Sequence, residues 1–193
     1  MSTMHMFPVP VCFEQLSLDL PEMEKYSQGL KKADKNPNIN RSGDGWQSEP
    51  LVGEHPPFNA LKNAIYKHAE EYRKAIGYKS PLEIKSIWTN INGYRDYNTQ
   101  HTHPHAVVSG CFFIKVSKPE DPHGFLEFQH PSVDLLRAHW DLNLFNPNQV
   151  NNFQVSLHPT ANQLMLFPSW IVHSVSQNLS KEDDRISISF NLS

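Results

Sequence analysis

The pattern of apolar and polar positions changes character near residue 81. Ahead of it, "HPPFNALKNAIYKHAEEYRKAIGY" places Phe58, Leu61, Ile65, Tyr72 and Ile76 at helical spacing. Pro57 stands near the start of that run and Gly77 near its end, as helix boundaries favour. The pattern predicts a helix with one face packed on a sheet. A shorter helix is predicted over about Pro21 to Lys32, after an apolar, proline-marked, strand-like opening. The turn-rich "NPNINRSGDGWQSEP" predicts a loop, with Trp46 as an anchor that packs on the body.

From Leu82 onward short β-type segments alternate with turn signals. They are "LEIKSIWTNI", "AVVSGCFFIKV", "GFLEFQH", "FQVSLH", "NQLMLFP", "IVHSVSQN" and "RISISFNLS". No helical run between them is long enough for a parallel crossover. The expectation is a mainly β fold, an antiparallel double sheet or barrel fronted by N-terminal helices. "PSVDLLRAHWDLNLFNPNQVNN" reads as one long irregular insertion. A single domain over 1–193 is expected, with 1–80 as helical support and 81–193 as the β core.

Bulk properties narrow the function classes. A chain of 193 residues with 38% apolar and 19% charged residues suits one soluble domain with a sizeable core. A net charge of −3 provides no basic footprint for nucleic acid. No apolar run approaches a membrane span, and "MSTMHMFPVPV" lacks the basic and apolar regions of a secretory signal. Cys12 and Cys111 are far apart and form no CxxC knuckle, which fits a reducing compartment. A cytoplasmic location follows as the expectation. Histidine is the departure: eleven in the chain, several of them clustered.

In "QHTHPHAVVSG", His101 and His103 are two positions apart, so an extended chain aims both imidazoles the same way. Neutral imidazole is a common ligand for Fe, Zn, Cu and Ni. Pro104 interrupts the strand, which makes His105 the weakest candidate of the three. His173, flanked by apolar residues in "LMLFPSWIVHSV", is the best third ligand; the bland alternative is a hydrogen-bonded core histidine. In "DRISISFNL", Arg185, Ser187 and Ser189 share one face, and Ile186, Ile188 and Phe190 the other. An inward arginine beside a hydroxyl suits an incoming carboxylate, which guanidinium binds in a fork. The competing reading pairs Arg185 with the neighbouring "KEDD" loop.

The segments "SIWTNING", "HTHPH", "SGCFF", "LFPSWIVHSV" and "RISISFN", in that order, together with "GDGWQSEPL", resemble the iron(II)- and 2-oxoglutarate-dependent oxygenases. They resemble most a small branch of bacteria and their phages, related to prolyl hydroxylases. The resemblance implies a double-stranded β-helix, the jelly-roll or cupin-like core, with Fe(II) at one open end. It implies His101, His103 and His173 as metal ligands and 2-oxoglutarate and O2 as cosubstrates. The far carboxylate of 2-oxoglutarate would meet Arg185 and Ser187, and Asn90 and Ser109 would line the pocket. Phe113 stands where prolyl hydroxylases often carry a tyrosine, so its role reduces to packing. Trp88, Phe112, Phe113 and Trp170 are candidate walls, and Gly43 to Leu51 with Pro131 to Asn152 would border the mouth. The prime substrate would be a protein, a peptide or a small molecule, in a bacterial or phage-infected cytoplasm.

One departure stands out. The superfamily's usual first motif is H-x-D or H-x-E, and this chain has His103 at the acidic position. That keeps a cupin-type metal-binding protein, or a dioxygenase with a three-histidine site that does not use 2-oxoglutarate, as the alternative, since "PSWIVH" has the frame of a cupin motif. Cupins usually add a glutamate soon after H-x-H, where this chain has Val107 and Val108. A metal-binding module without turnover and a purely structural β protein complete the alternatives.

Overall fold

The computed structural model describes residues 2, 6–35, 45–146, 148 and 151–193. The elements run β1 (Cys12–Gln15), α1 (Leu20–Ala33), β2 (Trp46–Gln47), α2 (Asn59–Ala75), β3 (Ile84–Asn92), β4 (Asn98–His101) and β5 (Val108–Lys115). There follow β6 (Leu126–Gln129), α3 (Val133–His139), β7 (Gln154–Leu157), β8 (Gln163–Pro168), β9 (His173–Val175) and β10 (Arg185–Leu192).

Two antiparallel sheets face each other. One has the order β1-β8-β5-β10-β3-β2 and the other β4-β9-β6-β7. From β3 to β10 the strands alternate between the sheets, apart from β6 and β7, which pair within the smaller one; this is the double-stranded β-helix expected from the sequence. All seven predicted strands form, within a few residues of their expected bounds.

Alternation along the strands divides the apolar residues between two cores. On the outer face of the larger sheet, Ile186, Ile188, Phe190, Phe112 and Ile91 pack against Phe58, Leu61, Ile65 and Tyr72 of the helical layer. Between the sheets, Phe113, Phe128, Met165, Phe167 and Ile171 form the second core. α1 starts where Asp19 accepts a hydrogen bond from the Glu22 amide at 3.1 Å and ends on Lys31 and Lys32, which complement its dipole. α2 is anchored by Tyr72, whose hydroxyl donates to the Pro10 carbonyl at 2.8 Å. Trp46 is buried, as an anchor should be, and its indole N–H donates to Asp34 at 2.9 Å. No described helix is long and apolar enough to cross a membrane.

Two strands and one helix lie outside the sequence-based expectation. β2 spans two residues, and β4, "NTQH", is polar and lies at a sheet edge, so neither carries an apolar signal. α3 falls within the insertion expected to be irregular. Only Val133 of that helix is buried, so no apolar stripe marks it.

Gly110 shows how closely neighbouring strands of the larger sheet pack around β5. A Cβ there would overlap the Phe190 ring and stand 2.5 Å from the Met165 carbonyl oxygen. Gly110→Ala is therefore expected to destabilise the fold by about 1–3 kcal/mol, the usual range for overpacking. Urea unfolding measures it, and an unchanged midpoint would refute the packing argument.

Candidate metal centre

β4 and β9 pair so that His101 lies directly across from His173, and β9 in turn sets His173 opposite Phe128 of β6. His103 lies two residues beyond the end of β4. Its position is fixed by its backbone N–H, which donates to the Ser169 carbonyl at 3.0 Å, while the Ser169 hydroxyl donates back to the Ala106 carbonyl. The turn that follows carries His105 at φ 70°, exposed and outside the cluster.

The three imidazoles converge. Ring centroids are 5.0 Å apart for His101 and His103, 4.4 Å for His101 and His173, and 5.1 Å for His103 and His173. One ligand atom from each lies within 4.8 Å of the others, the sole group of its kind among the described residues. Backbone carbonyls fix two of the tautomers. The Nδ1 of His101 donates to the Thr99 carbonyl at 2.7 Å and that of His173 to the Ile171 carbonyl at 2.9 Å. A carbonyl only accepts, so Nδ1 holds the proton and the Nε2 lone pair is left for a metal. The His103 ring packs edge-on against Trp88, at 5.9 Å between centroids.

Burial, with His101 nearby, lowers the His103 pKa to about 4. For His173 burial is again the main cause and outweighs the bond to Ile171, and the value falls to about 3. Both rings are neutral at pH 7, the state a metal requires. The donor set thus fits a divalent ion.

Across the same cavity, of about 250 Å³, lies Arg185, 4% exposed at the start of β10. Its Nη1 donates to the Ser187 hydroxyl at a long 3.3 Å, and its Nε and Nη2 are buried without a partner among the described residues. The "KEDD" loop does not supply one. Asp183 pairs with Lys115 at 2.9 Å, and Asp184 accepts from Gln28 at 3.1 Å. The guanidinium lies 5.3 Å over the Phe113 ring, so that phenylalanine is a platform. Gly124, at φ +65°, makes room for it, since a Cβ there would stand 2.9 Å from the Arg185 Cδ. Burial lowers the arginine pKa to about 10, which leaves it charged at neutral pH. Two orphaned donors on a buried cation fit a carboxylate.

The other expected residues are distributed unevenly. Ser187, Asn90 and Trp88 line the cavity. The Asn90 amide is engaged, accepting from the Trp88 indole at 3.2 Å and donating to the Ser189 hydroxyl at 2.9 Å. Ser109 is buried but is not among the lining residues, and its hydroxyl donates to Asn191 at 2.7 Å. Phe112 belongs to the helix-side core and Trp170 is 56% exposed, so neither forms a wall. Of the loop expected at the mouth, Gln47 lines the cavity and 43–44 lie outside the described residues; no described residue of the 131–152 insertion reaches it. Asn98 and Cys111 also line it without having been expected. Gln47 reaches the cavity through the pairing of β2 with Asn90, and Asn98 is hidden by an irregularity in β4.

Two expectations follow. An unpaired buried charge opposes folding, so Arg185→Met should melt no lower than the wild type when metal-free. A clear fall in melting temperature would show that the guanidinium is already compensated. For His103 and His173 the folded pKa values lie below the unfolded value near 6.5, so protons favour the unfolded chain. The contribution is full above pH 6.5 and is lost as pH falls toward about 4 and 3. The metal-free melting temperature should therefore drop less from pH 7 to pH 5 in a His103→Gln/His173→Gln double variant than in the wild type.

Comparison with known proteins agrees with this arrangement. No curated protein matches the chain in sequence. A Pseudomonas putida prolyl-4-hydroxylase has a similar structure, with a TM-score of 0.67 at 10% identity, covering 94% of this chain and 91% of that one. So does a Trichoplax adhaerens prolyl hydroxylase in complex with a hypoxia inducible factor peptide fragment (TM-score 0.62, 15% identity, 94% and 82% covered). HygX from Streptomyces hygroscopicus, with nickel and 2-oxoglutarate bound, is a third (TM-score 0.61, 12% identity, 95% and 82% covered). At these identities the likeness establishes the shared double-stranded β-helix. The 2OG-Fe(II) oxygenase family matches residues 86–191, a span that contains the histidine cluster and Arg185 and disfavours the cupin alternative. The match covers more than half of the sequence, so the chain belongs to the 2OG-Fe(II) oxygenase family and is an oxygenase dependent on Fe(II), 2-oxoglutarate and O2.

Proposed function

We propose that the enzyme hydroxylates a C–H bond of a peptide or small molecule and releases succinate and CO2. In this reading His101, His103 and His173 hold the iron, and Arg185 with Ser187 holds the far carboxylate of 2-oxoglutarate. The observation that carries it is the buried guanidinium, two of its donors unpartnered, in the same cavity as three converging neutral imidazoles. Bound Fe(II) supplies the oxidising chemistry that couples decarboxylation of 2-oxoglutarate to hydroxylation.

The protein's own groups bind, orient and exclude water. The Thr99 and Ile171 carbonyls lock two imidazoles with Nε2 toward the ion. The Ser187 hydroxyl, already accepting from Arg185, keeps its proton for the cosubstrate carboxylate. Phe113 and Gly124 hold the guanidinium in place from two sides. Leu126, Phe167 and Val175 give the cavity apolar walls that limit water.

The substrate class has support from two structural neighbours. The solved prolyl-4-hydroxylase of P. putida and the peptide complex from T. adhaerens favour a peptide. HygX demonstrates the fold with nickel and 2-oxoglutarate bound.

The test is anaerobic. Fe(II) followed by 2-oxoglutarate should produce a visible charge-transfer band that saturates with 2-oxoglutarate. His101→Ala should abolish it, and Arg185→Ala should raise the 2-oxoglutarate concentration needed at least tenfold while iron stays bound. Normal 2-oxoglutarate affinity in the arginine variant would overturn its assignment. Absence of the band despite bound iron would overturn the cosubstrate site.

A further inference from the structure

The charge balance of the cavity carries one step more. The side chains lining it include three imidazoles, the amides of Gln47, Asn90 and Asn98, the hydroxyls of Ser187 and Ser189, and the guanidinium of Arg185. None of the described lining residues is an aspartate or glutamate. The Cys111 thiol does not offset the cation either, because burial is the chief influence on it and keeps it protonated. The protein therefore contributes one positive charge and no negative charge.

A divalent iron adds two positive charges and 2-oxoglutarate removes two. One unit of positive charge is left over. In the usual H-x-D arrangement the aspartate cancels that unit; here His103 occupies its place, and an imidazole that gives its lone pair to a metal brings no negative charge. A net positive charge in a cavity lined by no acidic group is costly unless it is paired. Two neutral donors stand ready beside it. The side-chain amides of Gln47 and Asn98 line the cavity and make no hydrogen bond among the described residues, whereas Asn90 accepts from the Trp88 indole and donates one N–H to the Ser189 hydroxyl. Gln47 comes from β2 of the larger sheet and Asn98 from β4 of the smaller, so they approach from opposite walls.

We infer that the prime substrate presents a carboxylate to this cavity, next to the C–H bond that reacts. The surplus is one unit, which a carboxylate matches, while a phosphate monoester, at about −1.5 to −2 near neutral pH, overshoots it. The unpartnered amides of Gln47 and Asn98 donate to the carboxylate oxygens. This rests on the functional reading above, since the count includes iron and 2-oxoglutarate.

The test uses the full chain loaded with Co(II), whose visible absorption reports the metal's surroundings, in saturating 2-oxoglutarate. Acetate and propionate are titrated against acetamide and propionamide, with methyl phosphate as a further arm, and retention of 2-oxoglutarate is followed by NMR. The acids are expected to perturb the spectrum at least tenfold more tightly than the amides, with 2-oxoglutarate retained, and methyl phosphate more weakly than the acids. His103→Asp, which restores the missing negative charge, should narrow the acid-to-amide ratio to below threefold. A capped peptide with a single glutamate, compared with its glutamine counterpart, distinguishes an acidic side chain from a free acid as the source. Equal binding of acids and amides, or no response to either, overturns the inference while the functional reading stands. If 2-oxoglutarate itself leaves the Co(II) spectrum unchanged, the functional reading fails and this inference fails with it.

Discussion

The antiparallel register between β4 and β9 sets His101 across from His173, and the rest of the site is arranged around that pair. A shift of one residue would turn each imidazole to the opposite face of its strand. Several contacts prevent the shift. β9 is held from its other side by β6, through Leu126 with Val175 and Phe128 with His173. His103 is held separately, through the Ser169 carbonyl in the connection between β8 and β9. The cluster therefore rests on three backbone segments that lie far apart in sequence and meet only in the folded barrel.

The site also works against the fold that holds it. Arg185 is buried with two orphaned nitrogens, and His103 and His173 are held neutral by desolvation. Neither arrangement favours folding in the absence of ligands. The opposing contribution comes from the two apolar cores. Alternate residues of β10 show the division: Ile186, Ile188 and Phe190 point into the helix-side core, while Arg185, Ser187 and Ser189 face the cavity. One strand thus serves stability with one face and chemistry with the other.

Much of this was legible in the sequence, for identifiable reasons. Period-two alternation in "RISISFNLS" marks the strand and the inward face of Arg185 together, because a two-residue repeat fixes both. The spacing of His101 and His103 points to convergence, although β4 ends at His101 and a turn, not a strand, carries His103 into place. What stayed hidden depends on pairing between distant segments. β2 is two residues long and shows itself only as the partner of β3. Ser109 lies on a buried strand face as alternation requires, yet a cross-strand bond to Asn191 engages its hydroxyl away from the cavity lining. Phe112 follows the same logic in reverse, since its position on β5 assigns it to the helix side.

The unpaired guanidinium has a consequence for the lifetime of the protein. A molecule that binds only the folded chain raises its stability in proportion to the logarithm of its concentration. An anion that completes Arg185 is then a structural component as well as a reactant. The folded fraction, and with it resistance to proteolysis, rises and falls with the supply of that anion.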